Sequence, residues 1–299
     1  MTPRVLLPWS DIPVPDGVEA AIYDGTGAPP DLSELSAVEF YVLPYDRGPE
    51  PARLIANMPS LKAVQSLSAG VDNLLPLIPD GVTLANGRGL HDLSVAEHAL
   101  ALLLAAQRDL PRWFRQQAGG TWDREHTRSL ADERVLLVGH GSIGRAIERY
   151  LRAGEAHVVP VARTAREGVH GIDELADLLP TAGIVVLALP DTPATRGVLG
   201  ARELAALPDG ALVVNVGRGT AIDTAALTRE VADGRLRAAL DVADPEPLPP
   251  EHPLWRLPGA IITPHVAGGS DSFHPRARRL AGEQLARFVR GEALVNVVR

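Results

Sequence analysis

Three segments late in the chain gather residue types that could grip an acid and move a proton. They are Asn215-Val216-Gly217-Arg218-Gly219, Asp241-Val242-Ala243-Asp244-Pro245-Glu246-Pro247-Leu248 and Ile262-Thr263-Pro264-His265. An arginine can hold a carboxylate through two parallel N–H bonds and polarise the carbonyl next to it. A histidine can deliver a proton near neutral pH, and a carboxylate behind it orients the ring and favours its charged form. Hydride exchange with a 2-oxo acid needs such a set. Each segment also follows an apolar run that reads as a strand, and ligands of open α/β sheets bind outside the carboxyl ends of their strands.

A hydride donor has a signature of its own, and it lies upstream. The apolar run Val135–Val138 stops at Gly139, Gly141 and Gly144, spaced G-x-G-x-x-G, and a helical pattern from Arg145 to Leu151 follows. That order suits a dinucleotide pyrophosphate: Gly139 for the tight turn, Gly141 for close approach of the phosphates, Gly144 for packing of helix on strand. The anion would rest on the unpaired N–H groups and positive end of the helix. More than a hundred residues precede the motif, whereas simple dinucleotide folds open with it.

The elements that must position these groups fall into two βα series. In the first, Val5–Leu7, Ala20–Tyr23, Val38–Val42, Lys62–Leu67 and Val82–Ala85 read as strands of a parallel sheet with poorly marked helices. A helix from about Ser94 to Arg108, apolar almost all round, should be buried. Pro111 then interrupts the pattern, and a more polar helix runs to Gly119. The second series predicts six parallel strands at 134–138, 157–162, 183–189, 211–216, 237–242 and 260–263, with helices near 143–153, 172–179, 201–207 and 222–233. A last helix, about Pro275 to Arg290, has no strands left beside it and is expected to pack back on the first domain.

Composition excludes several classes. The chain has 299 residues, enough for two domains, with 45% hydrophobic and 22% charged residues and a formal charge of −8. Such acidity argues against a nucleic-acid or anionic-membrane partner. The absence of cysteine removes disulfides, thiolate catalysis and cysteine-ligated metals, and the histidines show no spacing that suggests a metal site. No apolar stretch reaches membrane-spanning length and none near the start reads as a secretory leader, so a cytoplasmic protein is expected.

The motifs taken in order resemble the D-isomer-specific 2-hydroxyacid dehydrogenase family. They are Ser68-Ala69-Gly70-Val71-Asp72, Val95-Ala96-Glu97-His98, the glycine motif, Asn215–Gly219, Leu240-Asp241-Val242 with Glu246-Pro247-Leu248, His252-Pro253-Leu254-Trp255 and Thr263-Pro264-His265. The resemblance implies an α/β fold of two doubly wound parallel-sheet domains. A Rossmann NAD(P)-binding domain (100–266) would be inserted into a flavodoxin-like substrate domain (1–99 and 267–299), which accounts for the mid-chain motif. It implies Arg218, Glu246 and His265 as the catalytic set, and backbone N–H groups of Ala69, Gly70 and Val71, together with Arg218, on the substrate carboxylate. Cofactor contacts are expected from Gly139, Gly141, Ser142, Ile143, Gly144, Arg163, Thr164, Leu189, Pro190, Val216 and Asp241, the last on the nicotinamide carboxamide. A homodimer is expected, with its arm in the segment from Trp113 to Leu130. His98 is expected to support helix packing, and His140 to fill a variable slot of the glycine motif.

One departure bears on the cofactor. NAD-preferring folds place an acid about 20 residues past the motif, at the end of the second strand, to hold the ribose hydroxyls. Here that strand ends in Ala162, followed by Arg163-Thr164-Ala165-Arg166. Two guanidinium groups and a hydroxyl suit a 2′-phosphate, so NADP(H) is expected over NAD(H). The activity implied is reduction of a small 2-oxo acid, of glyoxylate or hydroxypyruvate class, to its D-2-hydroxy acid. A phosphoglycerate substrate would want more basic residues at the mouth, and no regulatory domain is expected after the last helix. The glutamine that formate dehydrogenases carry is Glu246 here, and the sole lysine, Lys62, precedes the motif, unlike the catalytic lysine of β-hydroxyacid dehydrogenases. The alternative of another class is a nucleotide-sensing binding protein of corepressor type on the same fold.

Overall fold

The computed structural model describes residues 2–299. It divides into two compact units, Met1–His91 with Ser270–Arg299, and Asp92–Gly269. The first holds a parallel sheet of β1 (Arg4–Leu7), β2 (Glu19–Ile22), β3 (Val38–Val42), β4 (Ala63–Gln65) and β5 (Thr83–Ala85), in the order β2-β1-β3-β4-β5. This is the flavodoxin-like order. Its central strands are buried on both faces, as period-two side chains of a covered sheet must be. Val5, Leu7, Phe40 and Val42 enter one core layer, and Leu6, Tyr41 and Val64 the other. The first layer is closed by Phe273, Ala277, Ala281 and Leu285, four apart on the helix Phe273–Val289. The chain end adds an antiparallel bridge to β5: the Leu84 N–H donates to the Arg299 carbonyl and the Val298 N–H to that of Leu84, both at 2.8 Å.

The second unit holds β6 (Arg134–Val138), β7 (His157–Ala162), β8 (His170–Gly171), β9 (Ile184–Leu187), β10 (Leu212–Asn215), β11 (Arg237–Leu240) and β12 (Ala260–Ile262). All are parallel, in the order β12-β11-β10-β9-β6-β7-β8. The order reverses at β6, between β7 and β9, the switch point at which such sheets bind nucleotides. Six strands were predicted and seven are present. The seventh, β8, is a two-residue edge paired through Val161–His170 and Ala162–Gly171, too short to carry a periodic signal. The helix predicted at 172–179 is broken into single turns, Ile172–Glu174, Leu175–Leu178 and Leu179–Thr181.

The division between the units falls at 91/92 and 269/270, where the sequence suggested 99/100 and 266/267. The helix Asp92–Gln107 is continuous, and Val95, Ala96 and Ala99 of its early turns pack in the second unit's core with Ala146, Ile147 and Leu151 of the helix Ser142–Ala153. Cutting that helix would split one hydrophobic stripe.

Candidate active site

The glycine loop is shaped by two contacts that no side chain could share. Gly139 has φ +107°, and a Cβ there would lie 2.4 Å from the Ala188 carbonyl oxygen. A Cβ on Gly144 would lie 2.0 Å from the carbonyl oxygen of Gly139, so the helix start sits directly on the strand end. Gly141 faces open space. It has no side chain to cap the helix Ser142–Ala153, whose first N–H groups are left for an anion. The Ser142 hydroxyl donates to Asp92 Oδ1 at 3.2 Å. An open cradle of uncapped amides fits the pyrophosphate of a dinucleotide.

Around this loop the structure adds partners that sequence reasoning missed. His140 Nδ1 accepts from Arg166 Nη2 at 2.8 Å, so its Nε2–H donates to Glu148, 2.6 Å away. Burial raises the Glu148 carboxyl, but hydrogen bonds from His140 and Arg152 outweigh it and hold the group below the usual range. Arg166 also donates to the His140 carbonyl at 3.1 Å. It is thus committed to the glycine loop, whereas Arg163 and Thr164 stand exposed with no side-chain partner among the described residues. On the far side, the backbone of Leu189, ahead of Pro190, comes within 2.6 Å of the place a Cβ on Gly217 would take, and Val216 is buried beside it in sequence.

The turn after β10 carries Arg218. Asn215, fully buried at the strand end, accepts from the Gly217 N–H at 3.0 Å and donates to the Arg218 carbonyl at 3.0 Å. An apolar residue at 215 would leave those backbone groups unpaired. Arg218 Nη1 donates to the Gly217 carbonyl at 2.9 Å, and the guanidinium is close enough to Asp191 to help hold that carboxyl low, after the larger effect of the Arg196 hydrogen bond.

His265 stands on a second turn, after β12. Its φ is +54°, a conformation a residue with a Cβ keeps only when its surroundings fix it. Three consecutive N–H groups do so by converging on one residue. His265 donates to the Asp241 carbonyl at 2.8 Å, Val266 to Asp241 Oδ1 at 3.0 Å and Ala267 to Oδ2 at 2.9 Å. Asp241 is 2% exposed. The Thr263 hydroxyl also donates to its Oδ1 at 2.6 Å, and His98 Nε2 lies 2.9 Å from that hydroxyl and 3.3 Å from Oδ1. Burial alone would raise the Asp241 carboxyl, but bonds from His98, Thr263, Ala267 and Val266 hold it at about 2. His98, expected to support helix packing, instead bonds to this cluster. The imidazole of His265 meets Glu246, Nδ1 to Oε1 at 2.5 Å. With Nδ1–H given to Glu246, Nε2 is the atom free to exchange a proton.

In the first unit, the loop after β4 turns its carbonyls inward. Those of Ser66, Leu67, Ser68 and Ala69 are bonded to Gln65 Nε2, His91 Nε2, the Gly87 N–H and Asn86 Nδ2, at 2.7, 3.0, 2.8 and 2.8 Å. The N–H groups of Ala69, Gly70 and Val71 have no partner among the described residues. Consecutive unpaired amides make an anion-binding concavity. A cavity of about 310 Å³ adjoins the loop, lined by Tyr45, Arg47, Ser68, Gly70 and Asn73 among others.

Comparison with known proteins decides the family. The pattern that defines the D-isomer specific 2-hydroxyacid dehydrogenase, NAD binding domain, matches residues 100–267. The chain belongs to the D-isomer specific 2-hydroxyacid dehydrogenase family. A member of this family from Xanthobacter autotrophicus Py2, solved with NADPH and MES, is 31% identical with a TM-score of 0.80 and covers 100% of this chain and 98% of its own. An NADPH-dependent glyoxylate/hydroxypyruvate reductase from Sinorhizobium meliloti, solved with NADP and sulfate, is 28% identical with a TM-score of 0.80, again over 100% and 98%. A D-3-phosphoglycerate dehydrogenase of Methanocaldococcus jannaschii is 31% identical over 256 residues, 82% of this chain and 49% of that protein. The chain thus spans about half the length of this curated relative. The two parallel sheets match the family's solved structures, and the unit with the glycine motif is its dinucleotide-binding domain.

Proposed function

We propose that this protein is an NADPH-preferring oxidoreductase that interconverts a small 2-oxo acid, of glyoxylate or hydroxypyruvate class, and its D-2-hydroxy acid. The observation that carries the reading is the His265–Glu246 pair at 2.5 Å, on a turn built to hold that histidine. Bound at the glycine loop, the reduced nicotinamide supplies the hydride. Arg218 grips the substrate carboxylate and polarises the carbonyl. In the first unit the unpaired amides of Ala69, Gly70 and Val71 are suited to a substrate carboxylate. His265 gives its Nε2 proton to the carbonyl oxygen as hydride reaches carbon, and recovers one from solvent. Glu246 holds Nδ1–H and stabilises the imidazolium before the transfer.

Gly139, Gly141, Ser142, Ile143 and Gly144 hold the pyrophosphate, and Leu189, Pro190, Val216 and Asp241 supply further cofactor contacts. Arg163 and Thr164 receive the 2′-phosphate. Their exposure without partners supports this, as do the neighbours solved with NADPH and NADP. Arg166 assists by fastening their turn to the glycine loop through His140. Among the described residues no helix is long and apolar enough to cross a membrane, and we place the protein in the cytoplasm. Exposed Phe114 and Trp122, in the segment that resembles the family's dimer arm, support a homodimer.

The test is NADPH and NADH oxidation with a panel of 2-oxo acids. Turnover of glyoxylate or hydroxypyruvate with NADPH preferred is expected. Tight NADPH binding without turnover across the panel would overturn it in favour of a non-enzymatic sensor. Arg163→Ala is expected to raise KM for NADPH about tenfold while KM for NADH stays within about twofold.

A further inference from the structure

His265 is held in the left-handed region by amide bonds that end on Asp241, so the imidazole is only as fixed as that carboxylate. Two of the three bonds reach the carboxylate oxygens, and rotation about Cβ–Cγ would break both. What stops the rotation comes from elsewhere. The Thr263 hydroxyl donates to Oδ1, and His98 Nε2–H points at the same pair of oxygens, 2.9 Å from Thr263 Oγ1 and 3.3 Å from Asp241 Oδ1. His98 lies on the helix Asp92–Gln107, 165 residues before Thr263. This histidine directs its ring nitrogen to the Thr263 hydroxyl and the Asp241 carboxylate, the two groups on which the turn is anchored. Asp241 is 2% exposed, so in the folded protein its oxygens rely on protein donors.

We infer that His98 is a positioning residue for His265, acting through Thr263 and the Asp241 carboxylate to fix the turn on which the imidazole stands. The inference rests on the reading of His265 as proton donor. His98 itself bonds to Thr263 and Asp241 and is not among the proposed ligand contacts, so its loss should lower the rate of proton delivery more than it weakens binding.

The experiment compares wild type, His98→Ala and His98→Gln, with the His265 ring resonance assigned by its disappearance in His265→Ala. In His98→Ala the His265 Hε1–Cε1 signal of ¹³C-histidine-labelled protein is expected to move or broaden. The same variant should lose about tenfold in kcat while KM for NADPH stays within about twofold. Glutamine keeps an N–H donor at similar reach, so His98→Gln should recover most of the rate and the wild-type signal. An unmoved His265 signal in His98→Ala overturns the inference whatever the activity. So does a shifted signal with kcat within about twofold of wild type, or a glutamine variant as impaired as alanine. A wild type inactive on every 2-oxo acid would sink the functional reading separately, since the ring signal does not depend on turnover.

Discussion

The glycine loop and the His265 turn are both strand-end turns of one sheet, and they reach their unusual backbones by opposite means. At Gly139 a φ of +107° comes with no Cβ to strain, and the close contacts of Gly139 and Gly144 need no side chain to hold them. At His265 a φ of +54° falls on a residue that carries a Cβ, and a buried carboxylate, a threonine and a distant histidine form the network around it. Where a site needs room for a ligand, the chain can omit atoms. Where it needs a reactive group, the strain has to be met by a network.

The largest way to break this contrast is to remove the reactive group. His265→Ala should cut kcat about a thousandfold while the circular dichroism spectrum stays that of wild type. A loss of less than about tenfold would mean that the turn holds something other than the proton donor.

Next comes the glycine loop. Gly144→Ala should lower unfolding free energy by about 3 kcal/mol, because its Cβ would press on backbone rather than on a flexible side chain. Gly141→Ala should leave stability within about 0.5 kcal/mol and weaken NADPH binding, since its space is open. Equal destabilisation by the two, in urea titrations, would show that the open space is not held for a ligand.

Acid tests the network. The Asp241 carboxyl is held at about 2, below its unfolded value, so its contribution to stability is complete above about pH 4 and is lost as pH falls from there toward about 2. The loss should amount to about 2 kcal/mol and be missing in Asp241→Asn. An asparagine variant with the acid profile of wild type would count against the anchor. The smallest effect sharpens the comparison at its centre. His265→Gly should be more stable than His265→Ala by about 1 kcal/mol or less, because glycine meets no Cβ penalty at positive φ but gives up more chain entropy.

Much of this was legible in the residues. The five strands of the first unit and six of the seven in the second announced themselves as apolar runs, and the glycine spacing named its own strand and helix. Arg218, Glu246 and His265 stood out as polar residues in the segments that follow late strands, and the family resemblance grouped them as one set. The His265–Glu246 contact at 2.5 Å joins residues 19 apart, a pairing that a resemblance could suggest and only the folded loops could make. The sequence assigned His98 to helix packing and could not show its partners. On an apolar helix a histidine is ambiguous, and its partners lie far away in sequence. Arg166 looked like a second phosphate ligand until the turn delivered it to His140.

What the sequence by itself determined is the set of local facts: which runs are buried on both faces, where glycine is demanded, and which strand ends carry chemistry. These depend on periodicity and on the size of single residues. Tertiary structure decided which polar groups are already spent and which are left for a ligand. Arg166, His98 and both oxygens of Asp241 are engaged, while Arg163, Thr164 and the amides of Ala69, Gly70 and Val71 are open. A hydrogen bond needs its partner within about 3 Å, and no spacing along the chain specifies that distance.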